Sequence, residues 1–428
     1  MQRSPSKPAI IGLWATFARA SPSFASIASV YSCDPNRPHR LEDTPTRGPV
    51  SRESHQGWVR ADACNYPRNV TDTAPRPKKQ EQLPASDQIL EIAPGVLRTQ
   101  LPISIPGLGH VNMYVLEDER GVAVVDPGLP DKNSYAMVKK RLQQVGVPLK
   151  NVHTVIVTHS HPDHFGGAYW LRADTGCDVV THERFRVFWD PTEPDDVDLD
   201  DQIAVDELSN RPPVRRPWDP PPWGGPSMEV PWRRRARMAV ARRIPRMLHL
   251  PQPTVRLKDA QTFRFARREW VAVHTPGHTA DHLCLFDPEH GLMLCGDHVL
   301  PTITPHISGL MRARDPLKLF FDSLDKVASF GPQVTKALPA HGDVFTDLTG
   351  RAMDIKEHHV GRLQKLRDAA AAEGRPMTVM DMSTHLFSPR AQGGMADSET
   401  FAHLEHLRLT GEMVRTDRDG RYEYTLSD

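Results

Sequence analysis

Sustained apolar patterning starts near "ILEIAPGVLRTQLPI" and continues through "VNMYVLED" and "GVAVVDPG", short β-rich runs ended by charge or Pro-Gly. Such runs predict strands. "DKNSYAMVKKRLQQVG" changes period: Tyr135, Val138 and Leu142 fall on one helical face, and Asp131 stands where an N-cap belongs. "VHTVIVTH" reads as a buried strand, "FGGAYWLRADTG" as a helix and "CDVVTHE" as another strand. Strand signals return in "EWVAVHTPG", "HLCLFDPE" and "GLMLCGD", and a helix, "DPLKLFFDSLDKVASFG", precedes "KALPAHGD". From about residue 352 the pattern is helical. "IKEHHVGRLQKLRDAAAAEG" ends on a Gly stop, and "MTVMDMSTHLF" and "SETFAHLEHLRLTGEMV" predict two more helices. "VRTDRDGRYEYTL" then alternates around an Asp-Gly turn, as a hairpin does. Interleaved strands and helices predict an α/β protein, and the closing helices with their hairpin suggest a small winged-helix-like α+β module.

Two stretches break this order. Residues 1–85 show no sustained apolar period and are rich in Pro, Ser, Arg and Asn, which predicts a disordered leader. The leader begins with positive charge and serines, as targeting peptides do, but "AIIGLW" is short and Arg19 soon interrupts it. The second stretch, 190–250, is acidic and then basic, with Trp218, Trp223 and Trp232 among the arginines. It reads either as a self-neutralising surface insertion or as a lid.

Composition narrows the class. Hydrophobic residues make up 39% of the 428, prolines number 40, and the formal net charge is zero. A folded body with additions fits these values, and bulk charge gives no argument for nucleic acid or membrane. Five cysteines, at 33, 64, 177, 284 and 295, form no CxxC pair, which fits a reducing, cytoplasmic setting. No apolar run is long enough to span a membrane.

The chemistry is concentrated in "THSHPDHFGG", which places His159, His161, Asp163 and His164 within six positions at the end of a predicted strand. Imidazoles and carboxylates are ligands of zinc and similar ions. Spacing by two lets His159 and His161 reach one ion, while Asp163 and His164 turn toward a second. Four ligands do not complete two shells. Three more candidates follow apolar runs beside Gly or Pro: His278 in "TPGHT", Asp297 in "CGDH" and His341 in "PAHG".

This set, with "VDPG" upstream, resembles the metallo-β-lactamase superfamily over about residues 88–350. The resemblance implies an αββα sandwich with two divalent metal ions at one edge, zinc first, with iron or manganese as alternatives. By motif position, His159, His161 and His278 would bind one ion, and Asp163, His164 and His341 the other. Asp297 would bridge them, and Asp126 of "VDPG" would support the site rather than ligate. His282 and His298 are read as supporting or structural. The Asp163–His164 pair and Asp297 resemble the glyoxalase II-type branch, not the zinc β-lactamases that use a cysteine ligand. Cys295 is therefore read as a buried structural thiol.

The expected organisation is a catalytic domain over 86–350, with the insertion or lid at 190–250, and a C-terminal module over 351–428. In that module His358, His359 and Arg362 resemble the β-lactamase-like branch that carries this extension. His278 follows His164 by 114 positions, more than compact relatives need. The implied activity is hydrolysis of a small ester, thioester or lactone by a hydroxide held at the dinuclear site, with Asp163 handling the proton. The implied partner is a small molecule rather than a membrane, and a homodimer is left open. Three other readings remain. One is a nuclease acting on RNA or single strands through Arg233, Arg234, Arg235, Arg237, Arg242 and Arg243 with Trp232. Another is a mononuclear iron dioxygenase of the same fold. The last is a winged-helix DNA-binding regulator, for which the acidic last helix is a poor match.

Overall fold

A computed structural model describes residues 79–187, 220–225, 231–243, 250–265, 267–311 and 313–428. All of them fall within one unit, Ala74–Asp428. The first sheet has seven strands in chain order: β1 (Leu90–Ala93), β2 (Val96–Ile105), β3 (Leu108–Asp118), β4 (Gly121–Val125), β5 (Val152–Ile156), β6 (Asp178–His182) and β7 (Val255–Leu257). β1 to β4 are antiparallel, and β4 to β7 are parallel. Parallel neighbours need crossovers. Helices α1 (Lys132–Gln144), α2 (Pro162–Phe165) and α3 (Ala168–Thr175) lie in the first two.

The second sheet begins with β8 (Thr262–Phe265), β9 (Arg268–His274), β10 (Leu283–Asp287) and β11 (Leu292–Gly296), all antiparallel. β12 (Lys336–Pro339) then pairs parallel to β11. Strand alternation builds three layers of core. Tyr114, Leu116, Ala123, Val125 and Ile156 of the first sheet meet Trp270, Ala272, Leu283, Leu285 and Leu294 of the second. The intervening residues, Met113, Val115, Val122 and Val124, face outward onto Tyr135, Val138 and Leu142 of α1. Val273, Cys284, Phe286, Met293 and Cys295 face the other way, onto Leu317, Phe320 and Leu324 of α5 (Pro316–Phe330). The result is helices outside two facing sheets, which is the expected αββα sandwich.

Local signals act as expected. The Asp131 carboxylate accepts from the amides of Asn133 and Ser134 and caps α1. Asp315 caps α5 through the Lys318 amide, with Pro316 in the first turn. α4 (Trp232–Arg243) lies in the insertion. It is followed, after α5 and β12, by α6 (Leu348–Glu373), which ends at Gly374 with φ +61°. After it come β13 (Met377–Thr378), α7 (Val379–Leu386), α8 (Gly394–Leu409), β14 (Met413–Arg418) and β15 (Arg421–Leu426). β15 pairs with both β14 and β13. The β14–β15 turn has positive φ at both Asp419 and Gly420, as a two-residue hairpin requires.

The structure departs from the sequence pattern in several places. "MTVMDMSTHLF" is not helical throughout: Met377 and Thr378 pair with Tyr424 and Glu423, and the helix starts at Val379 behind a Thr378–Asp381 capping box. β7 and β8 were not read, because "VRL" and "TFRF" are short and interrupted by arginine. Trp223, placed in the insertion, does not cover the site. It is 5% exposed, its ring is 5.0 Å from that of Phe401 on α8, and its carbonyl accepts the Tyr422 amide of β15. Trp232 is 73% exposed on α4. Trp218 and most of 190–250 lie outside the described residues, as does the chain up to residue 78, which takes in most of the expected leader.

Residues 79–85 fall within the expected leader, yet Gln80–Gln82 form a turn of 3-10 helix. Glu81 is fully buried there and accepts from the amides of Thr302 (2.7 Å) and Ile303 (3.1 Å) and from the Thr302 hydroxyl. Arg351 of α6 donates to the carbonyls of Leu300 and Ile303, each at 2.7 Å. The loop between β11 and α5 is thus held by the first described turn and by α6.

Candidate metal centre

β5 runs into Thr158, and the chain then turns through His159, Ser160 and His161 before Pro162 opens α2. Pro is favoured at a first helical position because its amide would be unpaired there anyway. Gly166 follows for want of room: a Cβ there would stand 2.1 Å from the Leu129 carbonyl carbon. Asp126 ends β4 in a left-handed conformation, φ +52°. Its carboxylate accepts from the Thr158 amide (2.9 Å) and hydroxyl (2.7 Å) and faces His164 Nδ1 at 3.0 Å. Nδ1 of His164 must carry the hydrogen, which leaves the Nε2 lone pair pointing into the centre.

The downstream residues arrive from the second sheet. His278 lies on the β9–β10 turn, Asp297 just past β11 and His341 just past β12. Two of these imidazoles are set by main-chain carbonyls: His278 Nδ1 donates to His306 O (2.7 Å) and His341 Nδ1 to His110 O (2.6 Å). Gly296, with φ +50°, admits His282, whose Nε2 would be 2.5 Å from a Cβ there and accepts the Asp297 amide at 3.0 Å.

The seven residues converge. His159, His161, His278 and Asp297 present one ligand atom each within 4.8 Å of one another, and so do Asp163, His164 and His341. His161 Nδ1 is 3.0 Å from both His159 Nε2 and His278 Nε2. Asp297 stands between the groups. Its Oδ2 is 3.8 Å from His159 Nε2, 3.6 Å from His278 Nε2 and 3.5 Å from His164 Nε2, and its Oδ1 is 3.3 Å from His341 Nε2. Asp163 Oδ2 lies 3.5 Å from both His164 Nε2 and His341 Nε2.

His164 Nε2, His341 Nε2 and Asp297 Oδ1 are buried without a hydrogen-bond partner. Orphaned buried lone pairs are costly. Here they point at common centres, and the donor set of imidazole nitrogen and carboxylate oxygen fits divalent first-row ions. Burial, with neighbouring imidazole charge, lowers the pKa of His159 and His161 well below the usual value; burial also lowers that of His278. All three are held in the neutral form that ligation needs. Burial alone would raise Asp297, but His341 and His164 beside it outweigh that and hold the carboxyl well below its usual range; burial would lower His164 and His341 in turn, but Asp163 and Asp297 raise them, so each would give up a proton to a bound cation.

Cys295 points away, into the core beneath α5, and burial raises its thiol well above its usual pKa. His298 lies edge-on to Phe320, 5.1 Å between ring centres. A third buried group, His359, Glu399 and His403, has the right residue types. Its carboxylate is already engaged by Arg362 and His306, and His359 Nδ1 meets His403 Nε2 at 3.0 Å. Both carboxylate oxygens of Glu399 are thus taken, while His359 Nε2 is buried without a hydrogen-bond partner.

Several contributors were not singled out from the sequence. His110 and Asn112 of β3 brace the His341 turn: Asn112 Nδ2 donates to the carbonyls of Pro339 and Gly342, and His110 Nε2 accepts the Gly342 amide. The available signal was two polar side chains in an otherwise apolar strand. Asp281 is buried three residues past His278 and accepts from Ser160 Oγ at 3.0 Å. Burial pushes its carboxyl up to about 7.

Residues 106–341, over half of the chain, match the model of the Metallo-beta-lactamase superfamily. The chain is similar to a hydroxyacylglutathione hydrolase of Albidiferax ferrireducens, 25% identical over 249 residues, 58% of this chain and 68% of that protein. It is also similar to an atrochrysone carboxyl ACP thioesterase of Aspergillus novofumigatus, 34% identical over 121 residues, but only 28% of this chain and 33% of that one. Among solved structures, a beta-lactamase domain protein of Burkholderia ambifaria superposes with a TM-score of 0.62 at 26% identity, over 81% of this chain and 95% of that one. A metallo-beta-lactamase family protein of Thermus thermophilus gives 0.60 at 27% identity, over 78% and 100%.

Proposed function

The chain belongs to the metallo-beta-lactamase superfamily, and on that premise we propose that it is a metal-dependent hydrolase of an acyl thioester, ester or lactone of a small molecule. The observation that carries this reading is the convergence of seven side chains from two sheets into two ligand groups with Asp297 between them. His159, His161 and His278 would hold one divalent ion, Asp163, His164 and His341 a second, and Asp297 both. Zinc is the first choice for this donor set, with iron or manganese as alternatives. Such ions supply Lewis acidity and lower the pKa of coordinated water toward 7.

The chain's own groups do the rest. Asp126, His306 and His110 fix the ring orientations of His164, His278 and His341. Asp163, on the single turn of α2, would take up the proton released as the acyl centre is attacked. The preference for an acyl substrate is supported by the two relatives, named as a hydroxyacylglutathione hydrolase and an acyl-carrier-protein thioesterase. The test is metal quantification on the purified protein together with turnover of thioesters, lactones, phosphodiesters and RNA. Two ions per chain and metal-dependent acyl hydrolysis are expected. One iron per chain with dioxygen consumption, or cleavage of RNA alone, would overturn the reading.

A further inference from the structure

His306 belongs to the loop between β11 and α5 and was not among the residues expected at the site. Its main-chain carbonyl receives the Nδ1 hydrogen of His278, so it stands directly behind one member of the first ligand group. Its ring also acts on the site through charge: a positive charge on His306 would lower the pKa of both His161 and His278. The ring is itself held from the far end of the chain. Nδ1 lies 3.3 Å from Oε2 of Glu399 on α8, and Arg362 of α6 bonds the other carboxylate oxygen. Arg362 in turn lies over the Phe387 ring, 4.6 Å from its centre.

The tautomer follows from donor and acceptor chemistry. Burial would raise the Glu399 carboxyl, but His306 and Arg362 beside it bring it down to about 2, so it is ionised at neutral pH. A carboxylate only accepts, so Nδ1 of His306 carries the hydrogen and the neutral ring presents a lone pair at Nε2. Nε2 has no hydrogen-bond partner among the described residues. The side chain is 23% exposed, against 8% for Glu399. The nearby His359–His403 pair contrasts with it, since both of those rings are fully buried.

We propose that His306 is a substrate-contacting specificity residue of the hydrolytic site, its Nε2 accepting a hydrogen bond from a hydroxyl or amide N–H flanking the scissile acyl carbon, with Glu399 and Arg362 as positioning residues. The proposal rests on the acyl-hydrolase reading above. It makes the C-terminal helices part of the substrate site, because α6 and α8 set the ring that reads the substrate. A site built to accept a hydrogen bond discriminates against the analogue that cannot give one.

The experiment uses the full-length, metal-loaded protein and three sets of thioesters with one leaving thiol. They carry a hydroxyl, a methoxyl or a hydrogen on the first or second acyl carbon. Wild-type kcat/KM should favour one hydroxyl substrate by about tenfold over both its methoxyl and its hydrogen counterparts, the size of one such bond. H306A should bring the three within about twofold, through loss on the hydroxyl substrate, while keeping its metal, because the main-chain carbonyl behind His278 remains. E399Q, nearly isosteric, should cut the preference to about threefold at unchanged metal content, and it reads the same question if H306A fails to fold. Equal handling of hydroxyl and methoxyl, or a preference that survives in both variants, would overturn the proposal alone. Absence of turnover on every thioester would overturn the hydrolase reading and this proposal with it.

Discussion

Asp126 shows how one side chain can set a ligand without touching an ion. Its left-handed backbone turns the carboxylate back onto Thr158 and His164, so His164 can present only Nε2 inward. Asp126→Ala removes that constraint and should weaken metal retention about 10- to 100-fold. Competition with a chromophoric chelator measures this, and unchanged retention would contradict the role. A second residue-scale expectation concerns acid. His403 is fully buried, and burial, partly offset by Glu399, lowers its pKa to about 4. The unfolded chain therefore binds the proton first as pH falls through about 6.5, and stability is lost between there and about 4. The His403 contribution to that loss amounts to about 2 kcal/mol by pH 5. In H403Q the fall in melting temperature from pH 7 to pH 5 should shrink accordingly. The ligand motif was legible at this scale because His-x-His-x-Asp-His is local. Glu399 was not, since its partner His306 lies 93 residues away.

At the scale of elements, the decisive packing is between the two sheets. Trp270 of β9 is fully buried there among Ala272, Leu285 and the first sheet's Tyr114 and Leu116, and its indole donates to Phe265 O. Trp270→Ala should cost about 3–5 kcal/mol, read by denaturant titration with an unchanged slope. Periodicity announced β9, β10, β11, α1 and α5 because each buries a regular face. It missed β7 and β8, whose three and four residues are too few to show a period. It misread the start of α7 because pairing of Met377 with Tyr424 is a tertiary event.

For the whole molecule, the sheets are tied at one end by Arg268 of β9, which donates to Pro94 O in the β1–β2 turn and is held by the buried Asp287 of β10 at 2.9 Å. Removing one partner strands a buried charge, so D287N should lose about 3–5 kcal/mol. Thermal unfolding of D287N beside wild type measures it, and a loss under about 1 kcal/mol would sink the assignment. At the other edge the seven convergent residues would be tied through metal. Chelation should therefore lower the melting temperature by about 5–10 °C, from roughly 2.7 kcal/mol of lost binding at a hundredfold excess over Kd. Re-addition of zinc, iron or manganese should restore it. An unchanged melting temperature in chelator would argue against a bound ion.

By itself the sequence carried whatever is encoded locally: strand and helix periods, the Asp131 cap, the Asp419-Gly420 turn and the residue types able to hold a metal. These depend on neighbours a few positions away, so the order of residues is enough. Only the tertiary structure decided that Trp223 packs on α8, that Glu81 and Arg351 clamp the loop after Asp297, and that His306 stands between the centre and Glu399. Each joins residues from about 50 to more than 200 positions apart. Such contacts arise from burial and hydrogen-bond satisfaction once the layers have closed, and no local pattern announces them.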